Sequence, residues 1–147
     1  MKEVKNNLLV ELHIPDFQVA KDFYSQLGFV VVMEDLPTEK DKGYMTMKRF
    51  DGLGDTLVAF YGGDERVYGH SFFKRFPPKT QRGYAVEITV PVKNITDFYM
   101  KILETSKEFI VQELKVVEDH KMTWKDFRMV DPFGFYLRFT DLLNWGQ

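Results

Sequence analysis

The chain contains no cysteine. This absence excludes disulfide scaffolds, thiolate zinc sites and cysteine nucleophiles, and nothing indicates an oxidising compartment. The first fifteen residues, MKEVKNNLLVELHIP, place charges and amides where the apolar part of a secretion signal would lie. We therefore expect a cytoplasmic protein. With 147 residues, of which 44% are hydrophobic, the chain can bury a core without a disulfide or a metal.

Long apolar runs and an excess of one charge are also missing. No stretch approaches the roughly 18 apolar residues of a membrane-spanning helix. The chain has 20 basic and 22 acidic residues, which give a net charge of -2. The basic residues do not form the stripe that a nucleic-acid backbone requires. We expect neither a membrane nor a nucleic acid as a partner.

The first half of the chain has the predicted order strand, helix and three strands. The apolar run from Leu8 to Ile14 predicts a strand that ends at Pro15-Asp16, where proline removes a ladder donor and aspartate can cap a helix. Apolar residues then recur at helical spacing over about residues 17–27, and Gly28 is a typical helix stop. Three further strands are predicted at Phe29 to Glu34, Gly43 to Phe50 and Asp55 to Tyr61.

The second half repeats that order, and Asp16 aligns with Asn94. The predicted elements are a strand at Tyr84 to Val92, a helix marked by Ile95 to Leu103, and strands at Phe109 to Glu118, Met122 to Val130 and Phe135 to Leu142. We therefore predict one α+β domain over residues 1–147. Its first module covers about residues 6–63, a linker about 64–82, and the second module about 83–143.

The linker is rich in aromatic residues. It contains Tyr68, Phe72, Phe73 and Phe76, too many for a solvated spacer, and Pro77-Pro78 prevents a continuing helix. We expect this segment to pack across another surface. The sequence leaves open whether it is a lid or a dimer contact.

Two segments, DFQVAKDFYSQLGF and WKDFRMVDPFGFYLRF, resemble the vicinal oxygen chelate superfamily. This superfamily includes glyoxalase I, extradiol dioxygenases and the bleomycin resistance proteins, and its DP-x-G turn matches residues 131–134. The resemblance implies two βαβββ modules whose eight strands form a curved, partly open, barrel-like sheet with the helices outside and the ligand inside. It also implies a homodimer, with the modules paired either within one chain or between two.

In metal-dependent members of the superfamily, four ligands come from the first and last strands of each module. The equivalent positions here are Leu9, Ala59, Glu87 and Arg138. Among them only Glu87 can bind a divalent ion, because arginine has no free lone pair and the other two side chains are apolar. The resemblance is therefore to the metal-free, bleomycin-resistance-like branch, and we expect neither a metal nor another cofactor.

Strand alternation places Leu9, Glu11 and His13 on one face, and Tyr136, Arg138 and Thr140 on another. Glu87 and Arg138 are expected to be close, so that they either neutralise each other or meet a charged group of a ligand. Glu11, without an evident mate, is the better candidate for binding a cation. Trp124 is either core packing or a wall that stacks on a flat ligand. The predicted ligand-binding residues are Leu9, Glu11, Met47, Ala59, Tyr61, Glu87, Trp124, Phe127, Tyr136 and Arg138.

These residues predict a metal-free small-molecule binding protein, with an aromatic or cationic drug-like compound as its ligand, as in antibiotic resistance. The alternative is a lyase, isomerase or dioxygenase of the same superfamily that uses a metal or a carboxylate base, Glu87 or Glu11. The sequence leaves open whether the protein is an enzyme and assigns no catalytic residue.

Overall fold

A computed structural model of the chain describes residues 8–38 and 43–145. The described residues divide into two compact units, the first with residues 8–38, 43–50 and 54–80 and the second with residues 51–53 and 81–145. Residues 6 and 7, where the first module was predicted to begin, lie outside the described residues. The predicted single domain and its module boundaries stay predictions.

The first unit is a four-stranded sheet with a long helix and a short one. Its elements are β1 (Val10–Ile14), α1 (Phe17–Gln26), β2 (Val30–Asp35), β3 (Tyr44–Phe50), β4 (Asp55–Gly62), α2 (Asp64–Tyr68) and a 3₁₀ turn at Phe73–Arg75. The strand order is β1-β4-β3-β2. Strand β1 pairs with β4 in parallel, and the other pairs are antiparallel.

The second unit repeats this arrangement. Its elements are β5 (Glu87–Pro91), α3 (Ile95–Thr105), a 3₁₀ turn at Lys107–Phe109, β6 (Ile110–Asp119), β7 (Met122–Val130) and β8 (Tyr136–Thr140). The strand order is β5-β8-β7-β6, again with the first and last strands parallel. The predicted α+β fold of two βαβββ modules is confirmed, and its strands form two four-stranded sheets. None of the helices in the described residues is long and apolar enough to span a membrane.

Each sheet packs an apolar face against its own helix. In the first unit the ring of Tyr24 on α1 lies 5.1 Å from that of Phe60 on β4. In the second unit Phe127 and Phe139 stack at 5.1 Å, and both rings contact Phe98 on α3. Phe60, Phe127 and Phe139 are completely buried. Because a fully buried apolar side chain contributes about 1.5–3 kcal/mol, these helix-side faces form the cores of the two units.

The ends of α1 are satisfied as the sequence predicts. The Asp16 carboxylate accepts hydrogen bonds from the backbone N–H groups of Gln18 and Val19, at 2.8 and 3.2 Å. The helix is followed by Gly28, whose φ of 87° favours glycine. Nε of Arg49 donates to the last-turn carbonyl of Leu27 at 3.1 Å, which adds a cation at the negative end of the helix dipole.

Helices α1 and α3 differ in the capping by the residue that precedes each of them, although the repeat aligns these two residues. Asn94 precedes α3 as Asp16 precedes α1, but the Asn94 side chain makes no capping hydrogen bond. We expect Asp16→Ala to lower the free energy of unfolding by about 1 kcal/mol because two backbone donors lose their acceptor. The matched substitution Asn94→Ala should cost clearly less. Urea unfolding followed by circular dichroism measures both, and equal losses would contradict a capping role specific to Asp16.

Candidate functional site

The register of the second sheet separates the helix side from the opposite face. Phe127 and Phe139 are paired and contact α3, so the neighbouring positions of β7 and β8 point away from that helix. Arg128 pairs with Arg138, and Asp126 pairs with Thr140. On β5, Glu87 pairs with Tyr136 and Thr89 pairs with Arg138. These residues, together with Trp124, define the second helix-distal face.

The carboxylate of Asp126 lies at the centre of this face and has only 2% of its side chain exposed. Its Oδ2 accepts hydrogen bonds from Nε1 of Trp124 and Nη2 of Arg138, each at 3.0 Å. Its Oδ1 accepts from Nε2 of Gln112 at 3.3 Å and lies 2.7 Å from Nη1 of Arg128. The contact with Arg128 is an ion pair without hydrogen-bond geometry at that nitrogen. Asp126 thus holds four side chains in place.

A second carboxylate, that of Glu87, faces the same two guanidinium groups at longer range. Its Oε2 lies 3.4 Å from Nε of Arg128, and its Oε1 lies 3.8 Å from Nη1 of Arg138. Glu87 is 37% exposed, whereas the Arg128 and Arg138 side chains are 15% and 14% exposed. The expected proximity of Glu87 and Arg138 is confirmed, but Asp126 is the nearer partner of Arg138. Two acids and two guanidinium groups leave the cluster formally neutral.

The pKa of Asp126 is lowered, although burial alone would raise it. Desolvation disfavours the charged carboxylate, but the hydrogen bond from Trp124, the contact with Arg128 and the charges of Arg128 and Arg138 together outweigh it. Asp126 is therefore ionised at neutral pH, as the two adjacent cations require.

Aromatic side chains flank the charged cluster. The indole of Trp124 is oriented by its hydrogen bond to Asp126, and the guanidinium carbon of Arg138 lies 5.7 Å from the ring centre of Trp145. Trp124 and Tyr136 are partly exposed, and Trp145 is half exposed. The second helix-distal face thus combines flat aromatic surface with a few fixed polar groups, a composition common in small-molecule sites.

The first sheet has its own helix-distal face, which carries Glu11, His13, Ala59, Tyr61 and Tyr44. The register pairs Glu11 with Ala59 and His13 with Tyr61, while the alternate residue Phe60 contacts α1. Glu11 is exposed and Ala59 is fully buried. Leu9 precedes β1 and is 42% exposed. Glu11 and His13 therefore lie on one face of β1, as the alternation of side chains along a strand predicts.

Part of the aromatic linker contacts this face. The imidazole of His13 stacks on Tyr61 at 5.2 Å and meets the edge of Phe73 at 5.6 Å. His70 stacks on Phe73 at 4.5 Å, and the Arg66 guanidinium lies 4.9 Å from the ring centre of Tyr61. The expectation that the linker packs across a surface is met by Phe73 alone among its four aromatic residues, because Tyr68, Phe72, Phe73 and Phe76 are all at least 37% exposed.

Tyr61 has a raised pKa. Burial is the largest cause, followed by the charge of Glu11 and by Tyr44, while Arg66 acts in the opposite direction. Tyr61 is therefore a neutral hydroxyl at physiological pH. The influence of Glu11 on this ring also shows that the carboxylate and the aromatic surface are neighbours.

Two of the predicted ligand-binding residues lie on the helix side instead. Met47 pairs with Val58, which places it on the same face as Met45 and Phe60, and it is 1% exposed. Phe127 packs against Phe98 and Tyr99 of α3. Both residues belong to the cores beneath the helices, because strand parity, not residue type, decides the face.

Three residues that organise the second face were not predicted from the sequence, namely Gln112, Asp126 and Arg128. A signal for two of them was present, since Trp124, Asp126 and Arg128 alternate along one strand. Gln112 could not be found in this way, because register shifts interrupt the pairing of β6 with β7 on both sides of it.

The metal positions implied by the family resemblance do not fit a metal. The repeat aligns Asp16 with Asn94, and the same alignment matches the pair Glu11–Ala59 to the pair Thr89–Arg138, so Ala59 and Arg138 are equivalent. Ala59 has no donor atom, and Glu87 already faces two guanidinium groups. Within residues 8–38 and 43–145 no three His, Asp or Glu side chains form a group that could hold a metal ion.

Comparison with known proteins identifies the fold. The bleomycin-binding protein in complex with bleomycin is similar in structure with a TM-score of 0.58 and 19% identity, over 95% of this chain and 100% of that one. A glyoxalase family protein from Enterococcus faecalis has a TM-score of 0.59 and 21% identity, over 95% and 97%. The chain has the vicinal oxygen chelate fold.

A third structure agrees with this assignment. The glyoxalase/bleomycin resistance protein/dioxygenase from Alicyclobacillus acidocaldarius has a TM-score of 0.60 and 15% identity, over 95% of this chain and 93% of that one. No protein-family model and no curated protein match the sequence. The vicinal oxygen chelate fold is thus established by structure alone.

We expect Asp126→Asn to lower the free energy of unfolding at pH 7 by about 3 kcal/mol, because it leaves two largely buried guanidinium groups with only the more distant carboxylate of Glu87. The lowered pKa of Asp126 means that its stabilising effect is present above the unfolded pKa of about 3.9 and is lost as the pH falls through the folded value. The difference from wild type should therefore shrink in acid.

Urea unfolding at pH 7 and at a series of pH values below 4 measures this effect. Glu113→Gln is the matched control, since it removes an exposed carboxylate from β6 of the same sheet. A loss no greater than that of the control, or a difference that does not change with pH, would show that Asp126 does not hold the network together.

Proposed function

We propose that this protein binds a small aromatic or cationic drug-like compound on the helix-distal faces of its sheets, without a metal. The observation that carries the proposal is the second face, where Asp126 fixes Arg128, Arg138 and the indole of Trp124 beside partly exposed aromatic surface. A binding site needs such preset polar groups on an otherwise apolar wall. The proposal includes the cytoplasmic location expected from the sequence.

The absence of suitable metal ligands supports binding over metal-dependent chemistry of this fold. Of the four positions implied by the resemblance, Leu9 and Ala59 are apolar and Arg138 is a cation that pairs with Asp126. The similarity in structure to a bleomycin-binding protein in complex with bleomycin agrees with a binding role.

Glu11 is the residue that we propose for recognition of a cation. Its carboxylate is exposed, and among the described residues no cationic side chain pairs with it. It lies near the Tyr61 ring, whose pKa it raises. The exposed carboxylate attracts a planar cation through the Coulomb interaction, while the Tyr61 ring already contacts His13 and the Arg66 guanidinium.

Titration with proflavine, a planar cation, tests this assignment by isothermal calorimetry. We expect saturable binding, which Glu11→Gln should weaken about fivefold to tenfold because the attraction to the carboxylate is lost. Glu113→Gln, which neutralises an exposed carboxylate on β6, should leave the affinity unchanged. No saturable binding to the wild-type protein would contradict the proposed function, and equal affinity in both variants would contradict the role of Glu11.

The same titration after dialysis against a chelator tests the metal-free part of the proposal. We expect the affinity for proflavine to stay unchanged and elemental analysis to find no divalent metal in stoichiometric amount. A stoichiometric metal whose removal abolishes binding would favour the metal-dependent alternative.

We also propose that the protein is a homodimer. Strand β2 is at the edge of the first sheet, and all four of its apolar residues, from Val30 to Met33, are at least 39% exposed. An exposed, apolar sheet edge is a template for association with another chain, and closed twofold dimers are the commonest assembly.

Sedimentation velocity tests the edge of β2 as a dimer contact. Val32→Lys places a charge on the exposed edge and should shift the protein toward the monomer. Val19→Lys, at an exposed position of α1, is the matched control and should leave the assembly unchanged. A wild-type monomer at micromolar concentration, or a dimer that tolerates Val32→Lys, would contradict this contact.

A further inference from the structure

The two guanidinium groups of the second helix-distal face are incompletely satisfied. Arg128 and Arg138 are directly opposite each other on β7 and β8, an arrangement of like charges that is unfavourable without anions. Nε of Arg138 is buried and has no hydrogen-bond partner in the described part of the chain. Such a donor costs free energy unless an acceptor meets it. This nitrogen does not face Glu87, so the capacity for a further anion lies at Nε of Arg128 and Nη1 of Arg138, whose contacts with Glu87 are long.

Asp126 cannot supply the missing interactions. Its two oxygens already meet four side chains, from Trp124, Gln112, Arg128 and Arg138, at 2.7 to 3.3 Å. Its side chain is almost fully buried, so it is a fixed part of the protein. Any additional anion must approach the guanidinium groups at another position.

Glu87 marks that position. Its carboxylate bridges the same two guanidinium groups, but at 3.4 and 3.8 Å, well beyond the roughly 2.7–2.9 Å of a charge-assisted hydrogen bond. The side chain is 37% exposed and can leave for solvent at little cost. The position therefore suits a carboxylate, but the Glu87 carboxylate makes only long contacts there.

We propose that Arg128 and Arg138 bind a carboxylate group of the ligand, which takes the place of the Glu87 carboxylate. This inference rests on the proposed function and adds one group to its ligand, a carboxylate on the planar aromatic compound, whether or not that compound also carries a cation. Glu87 is then a specificity-determining residue, because it competes with the ligand for the two guanidinium groups. The aromatic part of the ligand contacts Trp124 or Trp145, which lie beside the arginines.

Three probes with the same ring test the inference by isothermal calorimetry, namely 2-naphthylacetate, the neutral 2-naphthylacetamide and the cationic 2-(2-naphthyl)ethylamine. The wild-type protein should prefer the carboxylate over the amide. Glu87→Gln should strengthen binding of the carboxylate about tenfold, since a competing charge is removed, and should leave the amide unchanged. Glu113→Gln is the control and should change neither affinity. Glu87 suits this test because its exposed position and long contacts make it dispensable for folding.

Nitrogen-15 spectra of the arginine Nε–H groups supply an independent readout. Saturation with 2-naphthylacetate should shift the Nε–H signals of Arg128 and Arg138, and acetate alone should shift them in the same direction at higher concentration. The amide should leave them in place. Shifts confined to other arginines would overturn the assignment of this pair.

The outcomes separate the inference from the proposed function. Equal affinity for the carboxylate and the amide, in the wild type and in Glu87→Gln, would overturn the inference and leave small-molecule binding intact. Acetate binding at Arg128 and Arg138 without binding of any naphthalene probe would support the anion site and contradict the proposed function. Absence of binding by all the probes and by acetate would overturn both.

Discussion

The buried carboxylate of Asp126 is the interaction on which the second helix-distal face depends. The pairing of β7 with β8 places Arg128 opposite Arg138, and two like charges on paired residues repel each other when they are shielded from water. Asp126 offsets that repulsion by forming an ion pair with each arginine, and it also orients Trp124 through a hydrogen bond. The pKa of Asp126 is lowered for the same reason, because the adjacent cations and hydrogen-bond donors stabilise its charged form.

In each module the parity of the strands separates the apolar core from the opposite face of the sheet. The helix-side positions are apolar and buried, such as Phe60 in the first unit and Phe139 in the second. The alternate positions carry charges and aromatic rings, which the cores do not need. Because a strand presents successive side chains to opposite faces, the polar face can change its chemistry while the core stays as it is. A fold shared with glyoxalase family proteins is thus compatible with a different ligand.

The sequence predicted the fold well because its main signals are local. The strand at Met122–Val130 has the predicted bounds, and the aspartate before α1 caps that helix. The candidate site was harder to predict from the sequence. The flexible apolar side chain of Met47 and the aromatic ring of Phe127 suggest ligand contacts, but their positions along the strands place them in the cores. The ion pairs of Asp126 depend on the register between strands, and the irregular pairing of β6 cannot be inferred from residue types.

The two modules share the register of their parallel strand pairs but differ in the side chains at equivalent positions. At the pair Glu11–Ala59 the first module has an acid next to a residue without a polar side chain, so the charge of Glu11 remains for another partner. At the equivalent pair Thr89–Arg138 the second module has a cation next to a neutral residue, and its acids come from neighbouring positions of β5 and β7. The duplicated backbone therefore offers an acidic position in one module and a basic pair in the other.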